Sequence, residues 1–161
     1  MKIKEGFVYH IRDEYFDLVQ GCDIKNKANN GKTYPAYCCH KDSSRNIFWM
    51  IPMSTNIKKF EGIAEKEMNK YGHCYSVVIG MYDKKDAAFL IQDMFPITKK
   101  YILHEHTRKG KIISVNHSLK AEIRHNFDKI MELRNRDVKS TLTDIDYIMQ
   151  LIITWHSNST H

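Results

Sequence analysis

The sequence predicts an α+β fold, a strongly curved antiparallel sheet with helices packed outside it, two of them at the C-terminal end. Three observations predict it. Two pairs of short β-rich runs flank clusters of turn residues, which is hairpin chemistry. Between residues 57 and 71 the apolar positions recur at helical spacing. From residue 118 onward two further helical patterns follow, with no repeat or linker anywhere in the chain. One domain is therefore expected over 1–156, with a disordered tail over 157–161.

Taken in order, Gly6-Phe7-Val8-Tyr9-His10-Ile11 predicts a strand, and residues 13–20 a short helix with Tyr15, Phe16 and Val19 on one side. Asp23 to Lys32 is polar, with Asn29-Asn30-Gly31 as turn chemistry, so it predicts an exposed loop. Residues 33–40 and 47–53, aromatic and β-branched, flank Asp42-Ser43-Ser44-Arg45-Asn46 as a hairpin. Ile57, Phe60, Ile63, Ala64 and Met68 mark a helix that Gly72 is placed to stop. Residues 75–82 and 86–92 form a second hairpin around Asp83-Lys84-Lys85, and 94–98 an irregular edge before a short helix near 98–105. Leu119, Ile123, Phe127, Ile130 and Met131 line one face of the next helix. Thr143 is the expected N-cap of the last, with Asp146 completing a variant capping box.

Composition narrows the function classes. The 161 residues are 42 % hydrophobic and 27 % charged, ordinary for a globular chain with a proper core. No apolar run is long enough to span a membrane, and the first residues lack a signal-peptide core, so a cytoplasmic protein is expected. Cys22, Cys38, Cys39 and Cys74 have no Cys-x-x-Cys spacing, which points to reduced thiols rather than a zinc site or a disulfide framework. The net charge of +6 is uneven: residues 25–45 and 98–111 each carry five basic groups and one acidic. Two such clusters fit a polyanion partner, and equally a solvated surface.

The most telling stretch is Phe48-Trp49-Met50-Ile51-Pro52-Met53-Ser54-Thr55-Asn56-Ile57-Lys58-Lys59. A buried strand ends, two hydroxyls follow, and a helix begins. Unpaired N–H groups at a helix start attract anions, and phosphate is the obvious anion for a basic protein. The bland alternative is that Ser54 or Thr55 caps the helix and the lysines form a solvated face.

Three stretches in order resemble the MazF/Kid (PemK-like) endoribonuclease barrel: Gly31-Lys32-Thr33-Tyr34-Pro35-Ala36-Tyr37, Ile51-Pro52-Met53-Ser54-Thr55-Asn56, and Ala87-Ala88-Phe89-Leu90-Ile91-Gln92 through Ile97-Thr98-Lys99. The placing of hydroxyls, lysines and helices is closer to the ToxN/CptN toxins of type III toxin–antitoxin systems, and Ala88 to Thr98 resembles the CptN-like group. The resemblance covers about residues 6–135 and implies an SH3-like barrel. It implies a metal-independent endoribonuclease that cuts single-stranded mRNA by 2′-hydroxyl attack, without a cofactor. It also implies a folded, pseudoknot-type RNA antitoxin that the toxin processes, a higher-order toxin–RNA assembly and a role in phage defence. Tyr34 stands where the MazF group has arginine, so a mechanism needing a guanidinium there does not carry over.

Such cleavage calls for a proton acceptor, a donor to the leaving 5′-oxygen and stabilisation of the phosphorane oxygens. Ser54 and Thr55 with Lys59, or Lys58 in its place, supply fitting groups within one turn of the junction. His73 follows the helix end and is a candidate general acid or base, or else a surface residue. Lys32, Lys41, Asn56 and a stacking Tyr34 are candidate RNA contacts, as are Lys99, Lys100, Arg108, Lys109 and Lys111 along the backbone. His104 and His106, two apart on the expected helix near 98–105, do not share a face, which argues against a metal pair. The competing reading is a non-catalytic RNA- or protein-binding module. A DNA-binding regulator is disfavoured because no helix-turn-helix pattern is evident.

Overall fold

The computed structural model describes residues 1–20 and 34–158. The predicted loop over 23–32, with Lys32, lies outside them. The strands are β1 (Val8–Ile11), β2 (Tyr34–Asp42), β3 (Ile47–Ser54), β4 (Val77–Tyr82), β5 (Lys85–Leu90), β6 (Phe95–Ile97), β7 (Ile102–Glu105), β8 (Thr107–Arg108) and β9 (Lys111–Ile112). The helices are α1 (Asp13–Leu18), α2 (Ile57–Tyr71), α3 (His117–Asn135) and α4 (Ile145–Asn158). Seven strands form one antiparallel sheet in the order β4-β5-β3-β2-β1-β7, with β6 also paired to β3, and β8 and β9 form a separate ribbon.

β3 organises the sheet. Ile47 to Pro52 are all buried, as the unbroken apolar run of a strand covered on both faces requires. Its inner edge pairs with β2 from Ile47 to Pro52, while its outer edge meets β6 at Phe48–Met50 and β5 at Met53 and Ser54. Cys39 occupies a register shift between the Cys38–Met50 and His40–Trp49 pairs. Both cysteines are buried free thiols, and burial pushes the Cys38 thiol up to about 12.

The helices cover the sheet as their spacing dictates. Leu119, Ile123, Phe127 and Ile130 of α3 are buried and pack toward β2 and β4. Ile145, Ile148 and Ile152 of α4 are buried, and α4 packs on β6. α2 joins β4 and β5 through a smaller cluster of Phe60, Val77, Ala88 and Leu90. It ends where expected, with Gly72 at φ 74° and its N–H on the Met68 carbonyl. Among the described residues no helix is long and apolar enough to cross a membrane.

Four expectations are corrected. Residues 98–105 are not a helix: after a single 3₁₀ turn at Lys99–Tyr101, the aliphatic run continues as β7 against β1. The cap of α4 is Asp144, whose Oδ1 accepts the Tyr147 N–H at 3.2 Å, because Thr143 is buried one residue too early. That helix runs to Asn158, two residues into the predicted tail. The sheet does not close into a barrel among the described residues. β4 and β7 end the strand order unpaired to each other, because the chain leaves β7 for the β8–β9 ribbon. Side chains join the two ends instead: Arg108 donates to Asp83 at 2.8 Å.

Two positions test this architecture. Gly80 on β4 lets α3 approach so closely that a Cβ there would lie 2.7 Å from both Leu119 methyls. Gly80→Ala should therefore cost about 1–3 kcal/mol in chemical denaturation. Asp42 seals the β2–β3 turn by accepting from the Ser44 hydroxyl and N–H and from Arg45. The Ser44 hydroxyl first, then Arg45, hold its carboxyl down to about 2. A carboxylate depressed on folding stabilises above its unfolded value, about 3.9, and that contribution is lost as pH falls toward 2. Asp42→Asn should lower stability at neutral pH by about 1 kcal/mol. It should also flatten the acid limb of a stability–pH curve below about pH 4.

Candidate active site

Ser54 is the last residue of β3 and pairs with Ala88, so its position is fixed by the ladder with β5. Its Oγ accepts the Asn56 N–H at 3.1 Å, which leaves the hydroxyl proton free to donate. The next residue, Thr55, is exposed, and its carbonyl accepts the Ile57 N–H at 2.9 Å. Asn56 occupies the N-cap of α2 without a side-chain capping bond. Neither hydroxyl caps the helix.

Both hydroxyls open into a cleft of about 460 Å³. Val8, Pro35, Met53, Tyr82 and Ala87 give it an apolar floor, and Asp83, Lys85, Asp86, His106 and Arg108 give it a charged rim. Tyr82 is only 8 % exposed and its hydroxyl has no partner among the described residues. Burial, then the charge of neighbouring Asp83, raises its pKa, so the phenol stays protonated and is a hydrogen-bond donor. Next to the cleft, a second hollow of about 520 Å³ shares Asp83 and Arg108 and adds Lys84, Lys109, Lys111 and Ile113.

A row of histidines runs into the cleft. In an extended chain, residues two apart share a face. Since 102–105 is a strand, His104 and His106 fall on one side, opposite the reading a helix would give. His10 on β1 pairs with His104, their rings 4.6 Å apart, and its Nε2 lies 3.0 Å from His106 Nδ1. His106 Nε2 is 3.8 Å from an Asp83 oxygen, and the other Asp83 oxygen holds Arg108 at 2.8 Å. The chain His10–His106–Asp83–Arg108 thus ties β1, the β7 end, the β4–β5 turn and the ribbon together. Among the described residues no group of three or more His, Cys, Asp or Glu is set to hold a metal ion.

Of the residues singled out from the sequence, Ser54, Thr55 and Arg108 line the cleft, while Lys109 and Lys111 line the adjoining hollow. Asn56 is exposed beside Thr55, and Tyr34 pairs with Ile11 next to the cleft's Pro35. Lys58 and Lys59 do not join the lining. They follow Ile57 at steps of 100° around the helix, and Lys59 Nζ rests 5.3 Å from the Phe60 ring. Their place is taken by Lys85 and Arg108. Lys41 lies at the far end of β2, over Phe48, and Lys99 and Lys100 at the far end of β7. His73 follows the other end of α2 from the hydroxyls. Tyr82, Asp83, Lys85, Asp86 and His10 were missed because they meet only through strand pairing.

Neither a protein-family model nor a curated protein sequence matches the chain. A solved structure does. AbiQ, a lactococcal anti-phage endoribonuclease belonging to the type III toxin–antitoxin system, superposes with a TM-score of 0.70. The match covers 94 % of this chain and 98 % of that one, at 12 % identity. The chain has the AbiQ fold. At the level of fold, this bears out the type III toxin resemblance drawn from the sequence. At this identity the AbiQ fold carries no residue roles across, so the cleft's chemistry rests on its own side chains.

Because Thr55 makes no capping bond, Thr55→Ala should change the thermal unfolding free energy by less than about 0.5 kcal/mol. A true capping threonine would cost about 1 kcal/mol in the same measurement.

Proposed function

We propose that the protein is an endoribonuclease toxin that cuts single-stranded RNA in the cleft between β3, the β4–β5 turn and the β7 end. One observation carries the reading. Two hydroxyls with protons to donate, an imidazole beside a carboxylate, and a guanidinium line a single cleft that adjoins a lysine-bearing hollow. The shared AbiQ fold supports it, since that protein is an endoribonuclease of the same system type.

In the proposed reaction the RNA 2′-oxygen attacks the adjacent phosphorus and the 5′-oxygen leaves, giving a 2′,3′-cyclic phosphate and a 5′-hydroxyl. Ser54 and Thr55 orient the phosphate by donating to its oxygens. With its Nδ1–H given to His10, His106 presents a lone pair on Nε2 that takes the 2′-hydroxyl proton. Asp83, close to that nitrogen, favours the imidazolium that forms. Arg108 and the protonated Tyr82 stabilise the phosphorane oxygens, and the Lys85 ammonium protonates the departing oxygen. Lys84, Lys109 and Lys111 hold the flanking backbone phosphates. The step uses no metal and no cofactor. A folded RNA antitoxin, as the ToxN/CptN resemblance implies, would be processed by the same cleft and then occupy it.

Inducible expression should arrest growth and leave cyclic-phosphate RNA ends, in EDTA as well as without it. His106→Ala should lower cleavage by about 10²–10⁴-fold, and Ser54→Ala/Thr55→Ala should abolish the growth arrest. A harmless wild type that leaves RNA intact would sink the proposal in favour of a non-catalytic binding module. Lys109→Ala/Lys111→Ala should weaken RNA binding and reduce the slope of log affinity against log salt by about 0.7 for each phosphate no longer neutralised.

A further inference from the structure

His73 has no place in the cleft, yet its surroundings are unusual. α2 ends at Tyr71, and Gly72 turns the chain through the left-handed region, so Tyr71, His73 and Tyr75 follow one another at every second residue. Their rings form a ladder. Tyr71 and His73 lie 5.9 Å apart at 17°, and His73 and Tyr75 lie 4.2 Å apart at 17°. His125 of α3 closes it edge-on to Tyr75, at 6.4 Å and 69°. Tyr75 packs against the core and fixes the inner end, whereas Tyr71 is 57 % exposed and ends the ladder in solvent. Lys70 holds its ammonium 5.0 Å from the Tyr71 ring.

We propose that this ladder is a second nucleic-acid site, which extends itself by stacking the unpaired bases of a single-stranded RNA. Near-parallel rings that end in an exposed tyrosine are the geometry that a base continues, and stacking of this kind tolerates any base. The Lys70 ammonium, which lies over the Tyr71 ring, would swing off that face and pair with the phosphate beside such a base. A protein partner is the weaker occupant, because half the rings are imidazoles and lysine is depleted at protein interfaces. The proposal rests on the RNA-cleaving reading of the cleft. The rise of α2 puts roughly 20 Å between the two sites, a span that a strand held in the cleft crosses in a handful of nucleotides. The ladder would then grip RNA without touching the reacting phosphate.

The test is binding of a fluorescent 2′-O-methyl RNA 12-mer, which cannot be cut by 2′-hydroxyl attack, to the full chain. Tyr71→Ala should weaken it about tenfold, and Tyr71→Phe, which keeps the ring, should restore it. Cleavage of an unmodified RNA too short to leave the cleft should be unchanged in Tyr71→Ala. Equal affinity of wild type and Tyr71→Ala for the 12-mer overturns the proposal. So does an unchanged affinity with self-association that depends on Tyr71, which would make the ladder a protein contact. Loss of cleavage chemistry with the Tyr71 effect intact would remove the nuclease reading and leave the ladder standing.

Discussion

The structure depends on β3 dividing its outer edge between two partners. Phe48 to Met50 pair with β6, and Met53 and Ser54 pair with β5. Pro52, which has no N–H to donate, lies between the two ladders with its other side facing Ala36 of β2. Proline inside a central strand ordinarily argues against that strand. Here it stands where the outer edge changes partner. The change has a functional result: the last two residues of β3 are carried onto the β4–β5 hairpin, whose turn supplies Asp83 and Lys85. The hydroxyl pair and the charged rim are brought together by that single exchange of strand partners.

What was legible in the sequence followed from local periodicity. The two hairpins, the helix from Ile57 to its glycine stop and the apolar stripe of α3 each declare themselves within a short window. What misled was a segment whose local signals conflict. Lys99-Lys100-Tyr101 forms one helical turn, and Ile102-Leu103-His104-Glu105 is then claimed by the free edge of β1. That single error reversed the geometry of His104 and His106, since two residues apart means opposite faces on a helix and the same face on a strand. It hid His106, an imidazole that lines the same cleft as the hydroxyls.

The lysines illustrate a second limit. Sequence proximity favoured Lys58 and Lys59, because they follow the hydroxyls directly. Yet a helix that starts at a cleft points most of its side chains away from it, and the Phe60 ring offers Lys59 Nζ a nearer seat. Cations reach the cleft from turns more than twenty positions away along the chain, where only the sheet order brings them close. Of the basic cluster at residues 98–111, Arg108, Lys109 and Lys111 line one hollow, while Lys99 and Lys100 lie at the far end of β7.

Those turns also show where the fold accepts strain. The β4–β5 loop has two central residues, Asp83 at φ 50° and Lys84 at φ 64°, and the ribbon turn has Lys109 at φ 49° before Gly110 at φ 74°. Two-residue loops with both central φ values positive are the primed turns that suit twisted hairpins, and they prefer Asn-Gly or Asp-Gly. The ribbon turn keeps its glycine. The β4–β5 turn does not, and a left-handed lysine there costs about 1 kcal/mol or more. The turn keeps this residue beside Asp83, the carboxylate that grips Arg108 and faces His106. A more relaxed Asp-Gly turn would leave Asp83 in place but remove the Lys84 ammonium from the mouth of the basic hollow. Backbone strain of this kind persists where the surroundings over-determine it. Here the paired ends Tyr82 and Lys85, both lining the cleft, fix the turn from either side. The local cost therefore falls at a hairpin tip from which a carboxylate, a buried phenol and Lys85 line the cleft and Lys84 lines the adjoining hollow.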